Sequence, residues 1–343
     1  MLKWYEKTGK NDDVVLETRI RLARNFANYK FAGKMDAEEA SRLVNGVIGQ
    51  FASDAPEDYE CIRMKNCDEA KRLAMKDRQQ ISSGLVKGKN GAVLLSPDES
   101  TSIMVNAEDH VRIQVLANGM NMPVCFKKAN DIDDYIDSHF EYAFDEKFGY
   151  KTTYPTNVGT GLRASYTLHL PALSDAKRIQ GITTELARFG IKCKNVYGDD
   201  ENNVGHLYQI ASQRTLGQNE REIIKDLDDI VNQLIVQERE QRQAFYERDS
   251  LQMEDEIYKS YGVLRYARKI SLKDAMVLLS ELMLGRALGV IKFEDERKLS
   301  MNRCLMEIQP AALRGNSRKD LSVAECDIAR AEYLRAAIPE IGG

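Results

Sequence analysis

A chain of 343 residues, 43% of them hydrophobic, can bury a substantial core and points to two domains or one large domain with an appendage, which excludes a small stapled scaffold. Its 49 basic and 53 acidic residues leave a formal net charge of −4, so no overall field holds a polyanion such as DNA, and any anion site must be a local concentration of cations. Cys61, Cys67, Cys125, Cys193, Cys304 and Cys326 show no CxxC pairing or regular spacing, which argues against a disulfide framework or a thiolate zinc site and for reduced, mostly buried thiols.

The N-terminal stretch, MLKWYEKTGKNDD, is polar, and no apolar run approaches the ~20 residues of a membrane span, so a soluble, cytoplasmic protein is expected. Trp4 and Tyr5 read as packing residues. In Thr18-Arg19-Ile20-Arg21-Leu22-Ala23-Arg24 the alternation predicts an extended segment with Arg19 and Arg21 on one face, where they could clamp successive phosphates bidentately. From Asp36 to Phe51, Ala40, Leu43, Val44, Val47, Ile48 and Phe51 recur at helical spacing, with Asp36 and Glu39 in capping-box register.

Ala92–Leu95 and Ser102–Val105 read as strands of a hairpin, and Ser165–Leu170 as a further strand before Pro171. The acidic cluster Asp131–Asp137 reads as a solvated helix face. Beyond Gly217 strand signals stop: Ile223, Leu227, Ile230, Val231, Leu234 and Ile235 form a helical stripe that runs into the charged segment Glu238–Arg248. Ser271 caps a helix carrying Ala275, Leu278, Leu279 and Leu282, and Ser322 with Glu325 forms a capping box before a last helix. The expected architecture is an α+β domain over residues 1–220 and an all-helical domain over 221–343.

Gly9-Lys10, Gly33-Lys34 and Gly88-Lys89 lack the Ser or Thr of a phosphate-binding P-loop, and the signatures of zinc proteases, serine hydrolases and ordinary protein kinases are missing. What stands out is three arginine-bearing segments: Thr18–Arg24, Asn106–Arg112 and Pro155–Arg163. A surface ion pair is the default reading for any one of these arginines. The Asn157–Gly161 loop reads equally as a plain strand connection or as a loop whose glycines and threonines let backbone and donors approach a phosphate. His110 either orients its loop or is a satisfied structural histidine, and His139, His169 and His206 are too dispersed for a metal site.

Taken in order, Thr18–Asn25 (TRIRLARN), Asn106–Gln114 (NAEDHVRIQ) and Pro155–Ser165 (PTNVGTGLRAS) resemble the phosphagen-kinase superfamily of ATP:guanidino phosphotransferases, and within it the bacterial protein-arginine kinases. Gly91–Ser96, Tyr142–Tyr150 and Tyr208–Gly217 support the likeness, which covers nearly the whole chain. The resemblance implies a catalytic domain with a mainly antiparallel sheet flanked by helices, followed by the helical C-terminal domain. It implies that Arg19, Arg21, Arg112 and Arg163 bind the phosphates of ATP with Mg²⁺, that Lys194 takes the place of a further phosphate-binding arginine, and that Glu108 and Asp199 hold the substrate guanidinium. Two carboxylates suit that substrate: a group whose pKa exceeds ~12 must be both oriented and relieved of a proton as the N–P bond forms.

The short segment before Thr18 and the helices at the C-terminus resemble the protein-arginine kinases rather than the small-guanidine kinases. That implies protein substrates with accessible arginines, a homodimer, a stress-response role, and partners such as an activator protein and a AAA+ unfoldase with its protease. The family's phosphoarginine-reading motif falls on Cys326–Ala331, with Asp327 and Arg330 as its matching residues; a simple intrahelical ion pair is the competing reading. The chain departs from the family pattern at Tyr154 (usually Cys), Ala107 (usually a carboxylate), Glu17 (usually a small hydroxyl residue), Lys194 (Arg), Asp199 (Glu, for which Glu201 is a substitute) and Cys326 (Arg). These departures keep a second reading open, a catalytically weakened relative that acts as a nucleotide- or phosphoarginine-binding adaptor. A kinase for free arginine is a third.

Overall fold

The computed structural model describes residues 1–55, 57–198, 203–295, 299–317 and 320–342. At its centre lies an eight-stranded sheet built from β1 (Val15–Arg24), β2 (Glu60–Arg63), β3 (Ala92–Leu95), β4 (Thr101–Val105), β5 (Val111–Asn118), β8 (Leu162–His169), β9 (Ile191–Asn195) and β10 (Leu207–Ser212). Their order is β2-β3-β4-β5-β1-β8-β10-β9, antiparallel at every junction. A two-stranded ribbon, β6 (Phe144–Asp145) and β7 (Gly149–Tyr150), stands apart.

Side chains alternate across a strand, so each strand divides its residues between two very different faces. Ile20, Leu22, Ile113, Val115, Ala164, Tyr166, Leu168, Tyr208 and Ile210 form the apolar face. Against it pack α1 (Ala37–Asp54), α4 (Met122–Asp137), α6 (Ile179–Arg188) and the first half of α7 (Glu220–Arg248). The opposite face carries Glu17, Arg19 and Arg21 of β1, in register with Arg112 and Gln114 of β5, Arg163 and Thr167 of β8, Gln209 of β10 and Lys194 of β9. One end of that face is walled by α2 (Glu69–Asp77) and α3 (Ser83–Lys87), whose Met75 and Leu85 join Val93 and Met104 in a small core of their own.

The same alternation sends Arg24 to the apolar side. There its guanidinium donates to Asp133 Oδ2 at 2.6 and 3.1 Å and to the Thr160 carbonyl at 2.9 Å, and stacks 3.5 Å from the centre of the Tyr150 ring. Asp133 is therefore buried, whereas the sequence pattern placed the whole acidic cluster on a solvated face. The predicted box at α1 forms one arm only: Glu39 N–H donates to the Asp36 carboxylate at 2.8 Å, while the Glu39 carboxylate turns to accept from Lys30 N–H at 3.0 Å.

A second core gathers α8 (Ser250–Tyr266), α9 (Leu272–Ala287), α10 (Met301–Glu307) and α12 (Val323–Ala337), joined from the sheet by Leu16 and Leu207; the short helices α5 (Pro171–Asp175) and α11 (Pro310–Asn316) connect elements. Ser271 caps α9, and at α12 both arms of the Ser322–Glu325 box form. Helix α7 begins at the expected boundary at 220, yet its Ile223–Ile235 stripe belongs to the sheet's core. Within its charged continuation, Glu238 and Arg242 are buried: Glu238 accepts from Ala172 and Leu173 N–H, and Arg242 donates to Glu238 and to the His169 carbonyl. His169 in turn bonds Ser280 of α9 through Nε2 at 2.8 Å. Trp4 packs with Leu116 and Met306. Five of the six cysteines are buried, all six are free thiols, and no helix among the described residues is long and apolar enough to cross a membrane.

Candidate active site

On the polar face the cross-strand register decides which cations meet. Arg21 lies opposite Arg163 on β8 and Gln114 on β5, Arg112 lies opposite Ala23, and Lys194 lies opposite Gln209. Two adjoining hollows open there. One, of about 550 Å³, is lined by Glu17, Arg19, Arg21, Glu108, Arg112 and Lys194 among others. The second, of about 760 Å³, is lined by Arg21, Arg163, Lys192 and Lys194 with Pro155, Thr156, Val158 and Thr215, and no acidic residue is among its described lining. Arg21, Lys194 and Gln209 belong to both.

The electrostatics of this face are unfavourable as it stands. Burial pushes the pKa of Arg21 well down, and Arg19, Arg112 and Arg163 push it further, with Glu108 acting the other way. The buried Nε atoms of Arg19 and Arg21 have no hydrogen-bond partner among the described residues. Lys194 is lowered by burial and by Arg19, Arg21 and Lys192. Arg163 is held differently: its guanidinium donates to the carbonyls of Thr156, Ser212 and Gln213 at 2.6 to 2.9 Å and to Asn157 Oδ1 at 2.9 Å. Neutral acceptors fix the fork and leave its charge uncompensated. Such a cluster gains most from a ligand carrying several negative charges.

The Asn157–Gly161 loop packs on the chain at Thr215. Gly159 has φ +113, and a Cβ there would sit 1.9 Å from the Thr215 carbonyl oxygen, so a side chain is excluded by both conformation and space. Thr160 N–H donates to that same carbonyl, and Thr215 Oγ1 donates to the carbonyls of Thr156 and Val158. The close approach that the glycine permits is thus made to Thr215. Tyr154 is exposed immediately before Pro155.

Glu108 projects from the turn between β4 and β5. Beside it Asp109 accepts from Asn25 Nδ2 at 2.8 Å and Thr153 N–H at 2.7 Å. His110 Nδ1 accepts from Phe26 N–H at 2.9 Å, which leaves the proton on Nε2 to donate to the Lys30 carbonyl at 2.8 Å; burial lowers its pKa. His110 is thus fully satisfied and anchors the turn that presents Glu108. The Glu108 carboxylate pairs with Arg112 Nη1 at 3.0 Å and accepts from Ser82 Oγ at 2.9 Å. Asp199 and Glu201 lie outside the described residues.

Sequence reading noted Glu17 only as a departure from the family pattern, and missed Gln79 and Ser82. Glu17 is buried on the polar face, with its pKa raised by burial against the pull of Arg19, Gln79 and Arg21. Gln79 bridges Glu17 and Arg19, and Ser82 holds Glu108. The stretch Gln79–Gly84 has no motif, and its only local signal is the breaker Ser-Ser-Gly. Asp327 and Arg330, by contrast, sit in the second core. Arg330 is 1% exposed and donates to the carbonyls of Ile308 and Ile270, both at 2.9 Å, and to Asp327 at 2.7 Å.

Residues 40–241 match the family of the ATP:guanido phosphotransferase C-terminal catalytic domain, and residues 250–342 that of the protein-arginine kinase McsB C-terminal domain. The chain is 38% identical over 335 residues to the protein-arginine kinase of Bacillus subtilis (strain 168), covering 97% of this chain and 92% of the relative. It is 39% identical over 335 residues to that of Bacillus licheniformis, with the same shares. Among solved structures, lombricine kinase aligns with a TM-score of 0.60 and 20% identity over 67% of this chain and 68% of that one. The duplicated taurocyamine kinase from Schistosoma mansoni, with bound transition state analog components, aligns with a TM-score of 0.59 and 21% identity over 66% of this chain and 33% of that one. These two speak to the fold alone.

Proposed function

The chain belongs to the ATP:guanido phosphotransferases and, within them, to the protein-arginine kinase family, and from that premise we propose that it transfers the γ-phosphoryl group of MgATP to arginine side chains of proteins. Arg19, Arg21, Arg112, Arg163 and Lys194 bind the phosphates. Magnesium would arrive as part of the nucleotide substrate and would help neutralise its phosphate charge. Glu108 grips the acceptor guanidinium through charge-assisted hydrogen bonds, with Asp199 as its partner acid. The guanidino nitrogen attacks the γ-phosphorus, the bond to the departing ADP oxygen breaks, and the nitrogen's proton passes to a carboxylate. Alignment and charge neutralisation carry the rate.

The observation that supports this most strongly is the concentration of Arg19, Arg21, Arg112, Arg163 and Lys194 on one sheet face, with Arg21 enclosed among like charges. Incubation with MgATP and an arginine-rich unfolded protein should yield acid-labile phosphate on arginine, mapped by mass spectrometry under non-acidic conditions. Arg163→Ala and Glu108→Ala should each lose about a hundredfold in turnover or more. Parent-like rates in either variant would overturn the assignment of roles.

The resemblance extends the reading to a cytoplasmic homodimer formed through the helical segment, an activator, and delivery of marked proteins to an unfoldase-protease in stress. It offers Asp327 and Arg330 for phosphoarginine recognition, and Arg330→Lys tests this: loss of phosphoarginine binding with the fold intact supports it, and loss of stability alone opposes it. The lowered pKa and single point charge of Lys194 favour one alternative, a weakened relative that binds nucleotide without turnover. Lys194→Arg with Asp199→Glu would then restore rate.

A further inference from the structure

Between α2 and α3 the chain runs through Arg78, Gln79 and Ser82 along the rim of the hollow of about 550 Å³ that holds Glu17 and Glu108, and these three side chains reach in different directions. Arg78 points away from the site, forked on Glu307 of α10 at 2.8 and 2.9 Å, with Nη2 also donating to Asn316 of α11 at 2.8 Å. Gln79, held in the left-handed region at φ 60, turns inward. Its Nε2 donates to Glu17 Oε2, its Oε1 accepts from Arg19 Nη1 at 3.1 Å, and its carbonyl accepts from Gln114 Nε2 at 2.6 Å. Ser82 donates to Glu108 at 2.9 Å.

Two consequences follow from these contacts. Arg19 Nε and Glu17 Oε1 form a long ion pair at 3.8 Å, outside hydrogen-bond range, and the Gln79 amide stands between the other two atoms, accepting from Arg19 Nη1 and donating to Glu17 Oε2. Without that amide, Arg19 would close on Glu17 and be neutralised by its own neighbour. Among the described residues Glu108 likewise has two holders, Arg112 and Ser82, and without Ser82 the cation is left to set its position. One short segment therefore governs a residue of the phosphate side and a residue of the guanidinium side, and its outer end is fixed to the C-terminal helices.

We propose that Gln79 and Ser82 are positioning residues for phosphoryl transfer, and that the Arg78–Glu307 ion pair lets the C-terminal helices set where they stand. The proposal rests on the reading of Arg19 as a nucleotide ligand and Glu108 as an acceptor ligand. Gln79 keeps Arg19 available to phosphate by separating it from Glu17. Ser82 keeps Glu108 aimed at the acceptor. Arg78 carries both, because displacing it moves the residues that follow.

The test uses the full chain, with affinity for a fluorescent ATP analogue measured beside steady-state rates. Gln79→Ala should weaken nucleotide binding about tenfold, and adding Glu17→Gln should restore it, because no acid is left to capture Arg19. Ser82→Ala should lower kcat about tenfold and displace the acid limb of its pH profile, with nucleotide affinity unchanged. Arg78→Ala and Glu307→Gln should show both effects, and Gln79→Ala in the Arg78→Ala background should add less than about twofold. Arg78→Lys, which keeps the charge and loses the fork, should fall between. If these variants lower Tm while nucleotide affinity, KM and the pH profile stay at parent values, or if Gln79→Ala and Arg78→Ala multiply independently, the proposal is overturned. Full activity in Glu108→Ala and Arg163→Ala would instead remove the underlying site reading, so the two failures are distinguishable.

Discussion

Arg21 is the residue at which the cationic face can be weighed against the fold that carries it. Among the described residues its Nε is sealed without a hydrogen-bond partner, and Arg19, Arg112 and Arg163 act on it against Glu108. At a separation of ~8 Å and an effective dielectric near ~20, one like-charged pair costs ~2 kcal/mol. Three such pairs against one acid leave on the order of 4 kcal/mol, which water and counterions in the open hollow reduce by half or more. Methionine keeps much of the side-chain volume and removes the charge and its desolvation. Without nucleotide, Arg21→Met should therefore be ~1–2 kcal/mol more stable than the parent and melt a few degrees higher. With MgATP at about 100 times its Kd the order should reverse, since the parent gains ~2.7 kcal/mol and the variant has lost a phosphate contact. Thermal scans with and without MgATP, together with phosphoarginine formation, read out both halves. A variant that melts below the parent in the absence of nucleotide would refute the reasoning, because Arg21 would then be a paired structural group.

Gly84→Ala places a Cβ 2.7 Å from the Glu108 carboxyl carbon, so kcat should fall about tenfold or more with Tm nearly unchanged, measured by phosphate incorporation into protein. Burial holds the pKa of His169 well below its ordinary value near 6.5, so the unfolded chain takes up the proton first and stability falls as pH drops below that value. Between about pH 7.5 and about pH 5.5 this one group contributes a loss of ~1.4 kcal/mol, and His169→Gln should remove that part of the slope in urea titrations at the two pH values. Arg330→Ala leaves the Ile308 and Ile270 carbonyls and the Asp327 carboxylate without their donor, and should cost ~3 kcal/mol in chemical denaturation.

Features governed by neighbours in sequence were legible. Alternation along Thr18–Arg24 separated Arg19 and Arg21 from Ile20 and Leu22, and the same rule, carried two residues further, puts Arg24 on the apolar side. The hairpin between Leu95 and Ser102 and the caps at Ser271 and Ser322 rest on equally local chemistry. What failed was charge set by distant partners. Asp133 is buried because Arg24, far away in the chain, needs a counterion there, and Glu238 with Arg242 reads as surface charge until Ala172, Leu173 and His169 are brought against it. Gln79 and Ser82 escaped for the same reason: each acts on a residue of another strand or turn, and neither carries a motif.

The two faces of the sheet impose opposite demands that meet in β1. On the apolar face an arginine is admissible only when its charge is matched, and Arg24 has Asp133, two carbonyls and two aromatic rings around it. On the polar face, matching would destroy the use of the charge, since an arginine closed on an acid has little left for phosphate. Two of the four arginines there have neutral holders, carbonyls and an asparagine for Arg163 and the Gln79 amide for Arg19, while Arg112 pairs with the acceptor acid Glu108. Neutral donors and acceptors orient a guanidinium without cancelling it, and the repulsion that remains among Arg19, Arg21, Arg112 and Arg163 is relieved only when an anion enters. Glu17 is the one acid set directly beside this face on β1, and burial disfavours its ionised form, which weakens its claim on Arg19 in the direction that nucleotide binding requires.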